Sequence, residues 1–243
     1  MLPLLIAALV SFLPFIALYL WLKGQKKDDA NYQQLCRDSL FQGFWCVLPV
    51  TLMSGASYIV LRLTGLQNSH VLLYKALYNF IVLALMEEIA KFLAFWRVMK
   101  KSDYPFSWLD LTIMMTIASI GFGLIESVVY AIGSNIPTVL IRGICLPHAG
   151  YGFIVGYFYG KGCKTGNPMQ KWIGFALAWF MHGLYDFSLS EEFIAINDNL
   201  VFIPLLLALF DIVLVILLIR FVRIARKDQA YTEPVLVQKK EEE

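Results

Sequence analysis

Acidic and histidine side chains recur inside the hydrophobic runs of this 243-residue sequence. Six of them lie in four runs that look long enough to cross a bilayer: Glu87, Glu88, Glu126, His148, His182 and Asp186. A charge near the centre of a bilayer costs about 2.5–3.5 kcal/mol on insertion scales. A chain that needed only an anchor would have little reason to carry so many. Carboxylates and imidazoles can activate water or bind a metal ion, so the pattern predicts a polar, water-reaching site inside a helix bundle.

The third run contains the adjacent acids Glu87 and Glu88, followed by Lys91. On a helix, Lys91 lies one turn from both acids and can pair with either. Because neighbouring helical positions point in different directions, one glutamate can face a site while the other faces Lys91 or a neighbouring helix. The structural alternative is a buried acid–base cluster that only fixes packing, although a third charge is an expensive way to obtain specificity.

Glu126 lies in the fourth run without a basic residue within one helical turn. Its charge partner must therefore come from another span or from water. Gly121 and Gly123, just before it, let another helix approach closely. Two further charges flank this region. We expect Asp110 at the cytoplasmic interface, and Arg142 near the outer interface, where it can snorkel or pair with an acid.

His148 begins a stripe of small residues in the fifth run. Glycines follow it at intervals of four residues: Gly152, Gly156 and Gly160. Such a stripe can bring His148 against a neighbouring helix, and Pro147 can open the backbone beside it. The alternative is tight helix packing with an incidental histidine.

The sixth run places His182 and Asp186 four residues apart, which puts them on one face of a helix. A carboxylate beside a histidine sets its tautomer and raises its basicity. The alternative is a polar packing pair. For Asp211, in the last run, structural and functional roles are equally well indicated.

Composition predicts an all-α, polytopic membrane helix bundle. Hydrophobic residues make up 59% of the chain and charged residues 16%, against roughly 25% in soluble domains. Seven runs approach the ~20 residues needed to cross a bilayer, at about 1–22, 40–63, 72–96, 108–132, 137–160, 171–190 and 199–220. The four cysteines have no metal-ligand spacing and are interpreted as small buried or reduced thiols. A Gly-rich phosphate loop is absent from the sequence, and no nucleic-acid partner is expected.

The basic residues predict an orientation. Sixteen of the 20 Lys and Arg lie in alternate loops, around 23–39, 97–107 and 161–171, and from Arg220 onward. By the positive-inside rule, the N-terminus lies outside and the C-terminus lies in the cytoplasm. The chain then divides into N-terminal membrane helices with a cytoplasmic loop, a core of four membrane helices, a last membrane helix and a solvated, disordered cytoplasmic tail. The corresponding ranges are 1–70, 71–190, 191–222 and 223–243.

Taken in order, the motifs on successive helices resemble those of the PrsW family of bacterial intramembrane proteases. They are Glu87-Glu88-x-x-Lys91, Phe122-x-x-x-Glu126, His148 and His182-x-x-x-Asp186. That family is similar in motif layout to the CAAX prenyl endopeptidases and bacteriocin-processing proteases. Each motif is weak by itself, but their order and placement over residues 75–190, about half of the chain, are fairly specific.

The resemblance implies hydrolysis of a peptide bond within the membrane. Glu87 or Glu88 would be the base that activates water, and Glu126 would help hold that water. His182 would polarise the scissile carbonyl. Asp186 stands where the prenyl endopeptidases have an Asn. Because an ionised aspartate cannot donate to an oxyanion, we expect Asp186 to orient His182.

Two mechanisms remain open for these residues. In the first, which is slightly favoured because two histidines and several acids converge, they hold one divalent metal, most readily zinc. The candidate ligands are Glu87, Glu88, Glu126, His148 and His182. In the second, a buried glutamate acts without a metal.

The resemblance also implies the partners and the location. The substrate would be a single-span membrane protein such as an anti-sigma factor, cut at or near the outer face in a stress response, and the lipid bilayer would surround both. The protein would be a multi-pass protein of a bacterial plasma membrane. Two other functions fit the residues: a proton-coupled or metal-ion transporter, against which the sequence shows no inverted repeat, and a non-catalytic scaffold, against which every motif position is filled.

Overall fold

The computed structural model describes residues 2–133 and 136–235, and within them the regular elements are helical, as predicted. The α-helices are α1 (Leu2–Lys23), α2 (Ala30–Trp45), α3 (Val47–Leu63), α4 (Leu66–Ser69), α5 (Val71–Leu77), α6 (Met86–Lys100), α7 (Trp108–Gly133), α8 (Ile136–Cys145), α9 (Pro147–Thr165), α10 (Pro168–Ser188), α11 (Glu191–Ile194), α12 (Phe202–Ala225) and α13 (Gln229–Thr232). A π-helix, Tyr78–Leu85, joins α5 to α6, so that residues 71–100 form one long helix. Short 3-10 turns lie at Gly24–Lys26 and Asp198–Val201.

Four helical stretches of the described chain have the length and apolar composition of membrane spans: Ala30–Leu63, Trp108–Val129, Val139–Thr165 and Asn199–Ala225. The helix of residues 71–100 is long enough, but the charges of Lys75, Glu87, Glu88 and Lys91 interrupt its apolar run. Large apolar side chains are exposed on the outer faces of α1, α3, α10 and α12, as expected for surfaces that meet lipid. The chain is therefore a helical protein with several spans suited to a membrane, and the full count of seven stays a prediction.

Glycines let the helices around α7 approach it closely. A Cβ built on Gly121 would lie 2.1 Å from the Leu40 carbonyl oxygen of α2. On the other side of α7, a Cβ on Gly156 would lie 2.8 Å from the Thr112 Cα. The predicted small-residue stripe thus presses α9 against α7, and this contact carries His148 to the centre of the bundle.

The fifth predicted run is broken into two helices at Leu146. This residue has φ 51° and ψ 47°, in the left-handed region, and it separates α8 from α9. Pro147 is the first residue of α9, where its missing N–H costs no helical hydrogen bond. A non-glycine residue in the left-handed region costs about 1–3 kcal/mol, and such strain clusters at functional sites. His148 consequently lies in the first turn of α9, next to the break.

The prediction of a disordered tail from residue 223 is wrong as far as residue 235. Helix α12 continues to Ala225, and α13 follows it. The ring of Tyr231 packs on Trp108, with centroids 4.6 Å apart, and the Val235 N–H donates to the Phe106 carbonyl. The aromatic contact and the backbone hydrogen bond attach this segment to the helix bundle. The polar composition of the segment does not predict either contact. Residues 236–243 lie outside the described residues.

Candidate active site

The two adjacent glutamates follow the π-helix directly. A π-helix widens the turn, and such segments occur frequently at functional sites. In this widened stretch, the indole N–H of Trp179 on α10 donates to the Phe80 carbonyl at 2.6 Å, which ties the π-helix to the neighbouring helix. Both Glu87 and Glu88 point into the protein, with 7% and 0% of their surface exposed.

Glu88 is the glutamate that pairs with Lys91. Its Oε1 accepts from Lys91 Nζ at 2.5 Å and from His182 Nδ1 at 2.8 Å. Lys91 is itself fully buried, so the ammonium and the carboxylate neutralise each other where water cannot. Of the two glutamates, Glu88 therefore faces the lysine, and Glu87 is not within ion-pair distance of it.

The contacts of His148 define its tautomer. Lys91 Nζ lies 3.0 Å from His148 Nδ1. A lysine ammonium can only donate, so Nδ1 accepts and the ring proton lies on Nε2. That N–H donates to Glu126, whose Oε2 also accepts from Arg142 at 2.7 Å. The partners of Glu126 come from other helices, as predicted. Of the two expectations for Arg142, snorkelling or pairing with an acid, the structure shows the pairing.

His182 is held on several sides. Its Nδ1 donates to Glu88, because an ionised carboxylate can only accept. Asp186 lies 3.3 Å and Glu87 lies 3.6 Å from Nε2, each measured to a carboxylate oxygen. Neither contact has hydrogen-bond geometry, so within the described chain Nε2 has no hydrogen-bond partner. In neutral His182 this nitrogen keeps a free lone pair beside the two acids.

The residues of this region fit a metal ion. Ligand atoms of Glu87, His148 and His182 lie within 4.8 Å of one another, and all three residues are buried. Among the described residues, Glu87 Oε2, Glu88 Oε2 and His182 Nε2 are buried without a hydrogen-bond partner, which is costly unless something binds them. Four carboxylates also face only two permanently basic groups here, Lys91 and Arg142. A divalent cation would balance that excess of negative charge, and imidazole and carboxylate are ligands that zinc takes.

The comparisons with known proteins agree with this geometry. Residues 40–218 match the model of the PrsW family of intramembrane metalloproteases. The chain belongs to this family. It is 24% identical over 160 residues to the protease PrsW of Oceanobacillus iheyensis, covering 63% of this chain and 74% of that protein. It is 28% identical over 189 residues to the protease PrsW of Bacillus subtilis, covering 73% and 79%. No solved structure matches the chain significantly.

Family membership makes the chain an intramembrane protease and decides against the transporter that the buried acids also suggested. It also suggests a metal, because the family is described as a metalloprotease family. The bacterial relatives and the membrane-suited helices make it a protein of bacterial type that resides in a membrane. The roles of the individual residues remain proposals.

The structure brings all six acids and histidines named from the sequence into one cluster, together with Lys91 and Arg142. We call these eight residues the polar cluster: Glu87, Glu88, Lys91, Glu126, Arg142, His148, His182 and Asp186. Asp110 lies in the first turn of α7 and is 1% exposed, because Lys26 folds over it with Nζ 2.7 Å from Oδ1. Its position at the membrane interface stays a prediction.

Sequence reasoning missed Tyr151. Its ring stacks on His182 with centroids 5.2 Å apart and an angle of 24° between the planes. The available signal was its position three residues after His148, which places both on one face of α9. Because the helices contain many aromatic residues, residue type alone does not single out Tyr151.

Proposed function

We propose that this chain cleaves a peptide bond of a membrane protein, with Glu87 as the base that activates water. The observation that carries the assignment is the pair Glu87 Oε2 and His182 Nε2. Both atoms are buried, they lie 3.6 Å apart, and among the described residues neither has a hydrogen-bond partner. At that separation Glu87 can take a proton from the attacking water, and whatever Nε2 holds, a proton or a metal ion, can polarise the scissile carbonyl.

The other members of the polar cluster prepare these two groups. Glu88, ion-paired with Lys91, fixes the His182 ring through Nδ1. Asp186 faces Nε2 and orients the same ring. Glu126 is held by His148 and Arg142 and helps to position the water.

The protonation state of His182 separates the two mechanisms. With its proton on Nδ1, His182 offers Nε2 as a ligand, and we propose that Glu87, His148 and His182 hold one divalent ion, zinc being the best match to these donors. For His148 to be a ligand, one of its ring nitrogens exchanges its partner, Lys91 at Nδ1 or Glu126 at Nε2, for the ion. When bound, the ion would make the attacking water more acidic and polarise the carbonyl. In the metal-free alternative, the His182 ring carries a second proton on Nε2 and donates it to the oxyanion, beside two carboxylates that favour that charged form.

The substrate follows from the position of the polar cluster, which lies within helices that have apolar, lipid-facing exteriors. A peptide must enter such a site from the membrane, so the substrate is proposed to be a membrane protein. Its finer description, a single-span protein of the anti-sigma-factor kind, rests on the resemblance stated above. The bilayer is that of a bacterial plasma membrane.

A comparison of cleaved membrane proteins tests this function. Neo-N-termini would be enriched and identified by mass spectrometry from cells that express the wild type or the Glu87→Gln/Glu88→Gln variant at equal levels. We expect at least one membrane protein to be cut only by the wild type, at a bond within or beside its span. Identical sets of neo-N-termini would overturn the assignment of Glu87 and Glu88.

The membrane orientation is proposed from the charged loops: seven spans, with the N-terminus outside and the C-terminus in the cytoplasm. The residue Asn68 then lies outside and Gly166 lies inside. In intact cells, a membrane-impermeant thiol reagent should label Asn68→Cys but not Gly166→Cys, in a background without the four native cysteines. Labelling of Gly166→Cys without Asn68→Cys would reverse the orientation.

A further inference from the structure

Two buried polar residues outside the PrsW-like motifs have no role in the proposal above: one packs on the polar cluster, and the second packs on the first. Tyr151 on α9 and Asp211 on α12 are each 1% exposed. The Tyr151 hydroxyl donates to Asp211 Oδ2 at 3.5 Å, and the Tyr151 ring stacks on His182. We propose that Tyr151 and Asp211 are positioning residues that hold the imidazole of His182 in its working orientation. This inference rests on the proposed role of His182.

The ring of His182 needs a restraint beyond its hydrogen bond to Glu88. Glu88 fixes Nδ1, but a single hydrogen bond lets an imidazole tilt about that nitrogen. Asp186 and Glu87 lie near Nε2 without forming hydrogen bonds to it. A flat ring stacked on one face of the imidazole removes that tilt, since aromatic rings with centroids 4.5–7 Å apart have preferred relative planes. Tyr151 therefore adds a restraint on the tilt of the ring to the in-plane orientation that Glu88 and Asp186 give.

Tyr151 needs a polar partner of its own. Its hydroxyl is buried in an apolar bundle, where an unpaired hydroxyl is costly. Asp211 Oδ2 accepts from it at 3.5 Å, beyond the usual range of about 2.5–3.0 Å for an O–H···O hydrogen bond, so this contact is a weak one. Asp211 reaches this level because α12 packs closely on α9 there: a Cβ on Gly150 would lie 3.0 Å from Leu214 Cβ and 3.7 Å from the Asp211 carbonyl oxygen.

These contacts connect the last membrane helix to the chemistry. The core predicted from the sequence, residues 71–190, does not contain α12. Through Asp211 and Tyr151, α12 nevertheless sets the plane of a ring in the polar cluster. A packing role would make the same two residues important for folding but not for the state of His182, so the test must observe that ring.

The chain has three histidines, which makes the ring observable. In detergent-solubilised protein labelled with ¹⁵N-histidine, the three pairs of ring-nitrogen resonances belong to His70, His148 and His182. The variant His182→Ala assigns one pair. We expect Tyr151→Leu, which removes both the stacking and the hydroxyl, to shift or broaden the His182 pair and to leave the His70 pair unchanged. Tyr159→Phe, a tyrosine two turns further along α9, is the matched control and should change neither.

Activity gives the second readout, in the assay that the identified substrate provides. Tyr151→Leu should lower kcat by about 10–100-fold, the range typical for loss of a group that orients a ligand, with KM changed less than about twofold. Tyr151→Phe, which keeps the stacked ring, should recover most of that loss. Asp211→Asn should match Tyr151→Phe, and the double variant Tyr151→Phe/Asp211→Asn should be no worse than either, because both remove one shared interaction.

The outcomes separate this inference from the proposed function. If His182→Ala is inactive while Tyr151→Leu keeps wild-type kcat and unshifted His182 resonances, the positioning role is overturned and the proposed function stands. If His182→Ala is fully active, the proposed function fails, and the resonances still decide whether Tyr151 holds the ring. Should Tyr151→Leu not fold, Tyr151→Met, which keeps a large apolar side chain without a flat ring, carries the test. Unchanged His182 resonances and kcat in Tyr151→Met would then overturn the role.

Discussion

Two groups of interacting charged side chains in this molecule contain similar residues but differ in how their charges are balanced. One is the polar cluster of the candidate active site. The other, the Lys26 network, joins the α1–α2 connection to the start of α7. Its members are Lys26, Asp29, Tyr104, Ser107 and Asp110. Each group contains acids, a lysine and hydroxyl or ring donors, and each holds several helices together.

The difference lies in how the buried oxygens without a hydrogen bond are neutralised. In the Lys26 network, Asp110 Oδ1 has no hydrogen bond but lies 2.7 Å from Lys26 Nζ, and Oδ2 accepts from Lys26 and from the backbone and side chain of Ser107. In the polar cluster, Glu87 Oε2 is buried without a hydrogen-bond partner among the described residues, and its nearest ion-pair partner there is the His182 ring at 3.6 Å. An acid matched by an ammonium group stabilises a fold, whereas a buried acid without such a partner favours a cationic ligand. We infer that local charge balance, more than burial, separates the structural ionisable groups from the candidate catalytic ones.

The largest effect is expected from the glutamate with the unpaired oxygen. Glu87→Gln should reduce cleavage by about 10²–10⁴-fold, because loss of a general base has that cost. Glu88→Gln should also reduce cleavage, since it releases Lys91 and His182. Rates would be normalised to the amount of inserted protein. Wild-type cleavage by the double Gln variant would remove this motif from the reaction.

Metal content sharpens the same comparison. Purified protein should contain about one divalent ion per chain, zinc being expected, as measured by elemental analysis. Glu87→Gln should lose most of it, because Glu87 is one of the three converging ligands. Asp110→Asn, from the Lys26 network, should retain it. A metal-free sample that is fully active and indifferent to chelators would move the reaction to the glutamic mechanism.

The His182–Asp186 pair gives a graded effect within the polar cluster. His182→Ala should be nearly inactive, and Asp186→Asn should be weakened by about 10–100-fold, as expected for a residue that orients another. The double variant should be no worse than His182→Ala, because the two residues act as one unit. All three would be measured in one type of membrane preparation. If a folded Asp186→Asn protein is as inactive as His182→Ala, Asp186 has a direct role.

The sequence identified the members of the polar cluster but not their pairing. Spacing on a helix predicts which side chains share a face, so His182 with Asp186, and Lys91 within reach of both glutamates, could be read directly. The contact of Lys91 with His148 joins residues on two helices, and no local pattern specifies it. The same limit hid Tyr151, whose importance comes from stacking on another helix.

Some backbone features could be predicted from the sequence, and others could not. Pro147 indicated an opening in the fifth run, and the break at Leu146 lies beside it. The π-helix at Tyr78–Leu85 carried no residue signal, because its sequence is uniformly suited to an α-helix in a membrane. The charge of the tail predicts disorder, but Tyr231 packs on Trp108, and a tertiary contact of this kind cannot be predicted from charge.

A smaller effect, on stability and not on chemistry, is expected from the Lys26 network. Asp110→Asn removes the ion pair with Lys26, and Ser107 keeps at most a neutral acceptor. We expect the free energy of unfolding to fall by about 1–3 kcal/mol, the range for hydrogen bonds to charged groups. Thermal unfolding in detergent, followed by tryptophan fluorescence, measures it. Turnover of the folded variant should stay within about twofold of wild type, and a large fall in turnover at full stability would break the division between the two groups.

The smallest effect is a pH-dependent one at the edge of the Lys26 network. Asp29 caps α2, accepting from the Tyr32 N–H at 2.9 Å and from the Tyr104 hydroxyl at 2.9 Å. The Tyr32 N–H, which contributes most, holds the pKa of Asp29 below its ordinary value of 3.8, and the Tyr104 hydroxyl and the Lys26 charge add to this against partial burial. A carboxyl whose pKa is lowered by folding stabilises the fold above its unfolded pKa, and that contribution is lost as the pH falls through the folded value.

Asp29→Asn keeps an acceptor for the Tyr32 N–H but removes the charge at the start of α2. At pH 7 the variant should be less stable than the wild type by about 0.3–1 kcal/mol, the usual contribution of an acid at a helix N-terminus. The difference should begin to shrink as the pH falls below about 4, where the carboxyl of the unfolded wild type takes up a proton, and should vanish below the lowered pKa of the folded state. Paired unfolding curves of the two proteins across this range give the difference directly. A difference that stays constant into acid would assign the effect of Asp29 to hydrogen-bond geometry and not to its charge.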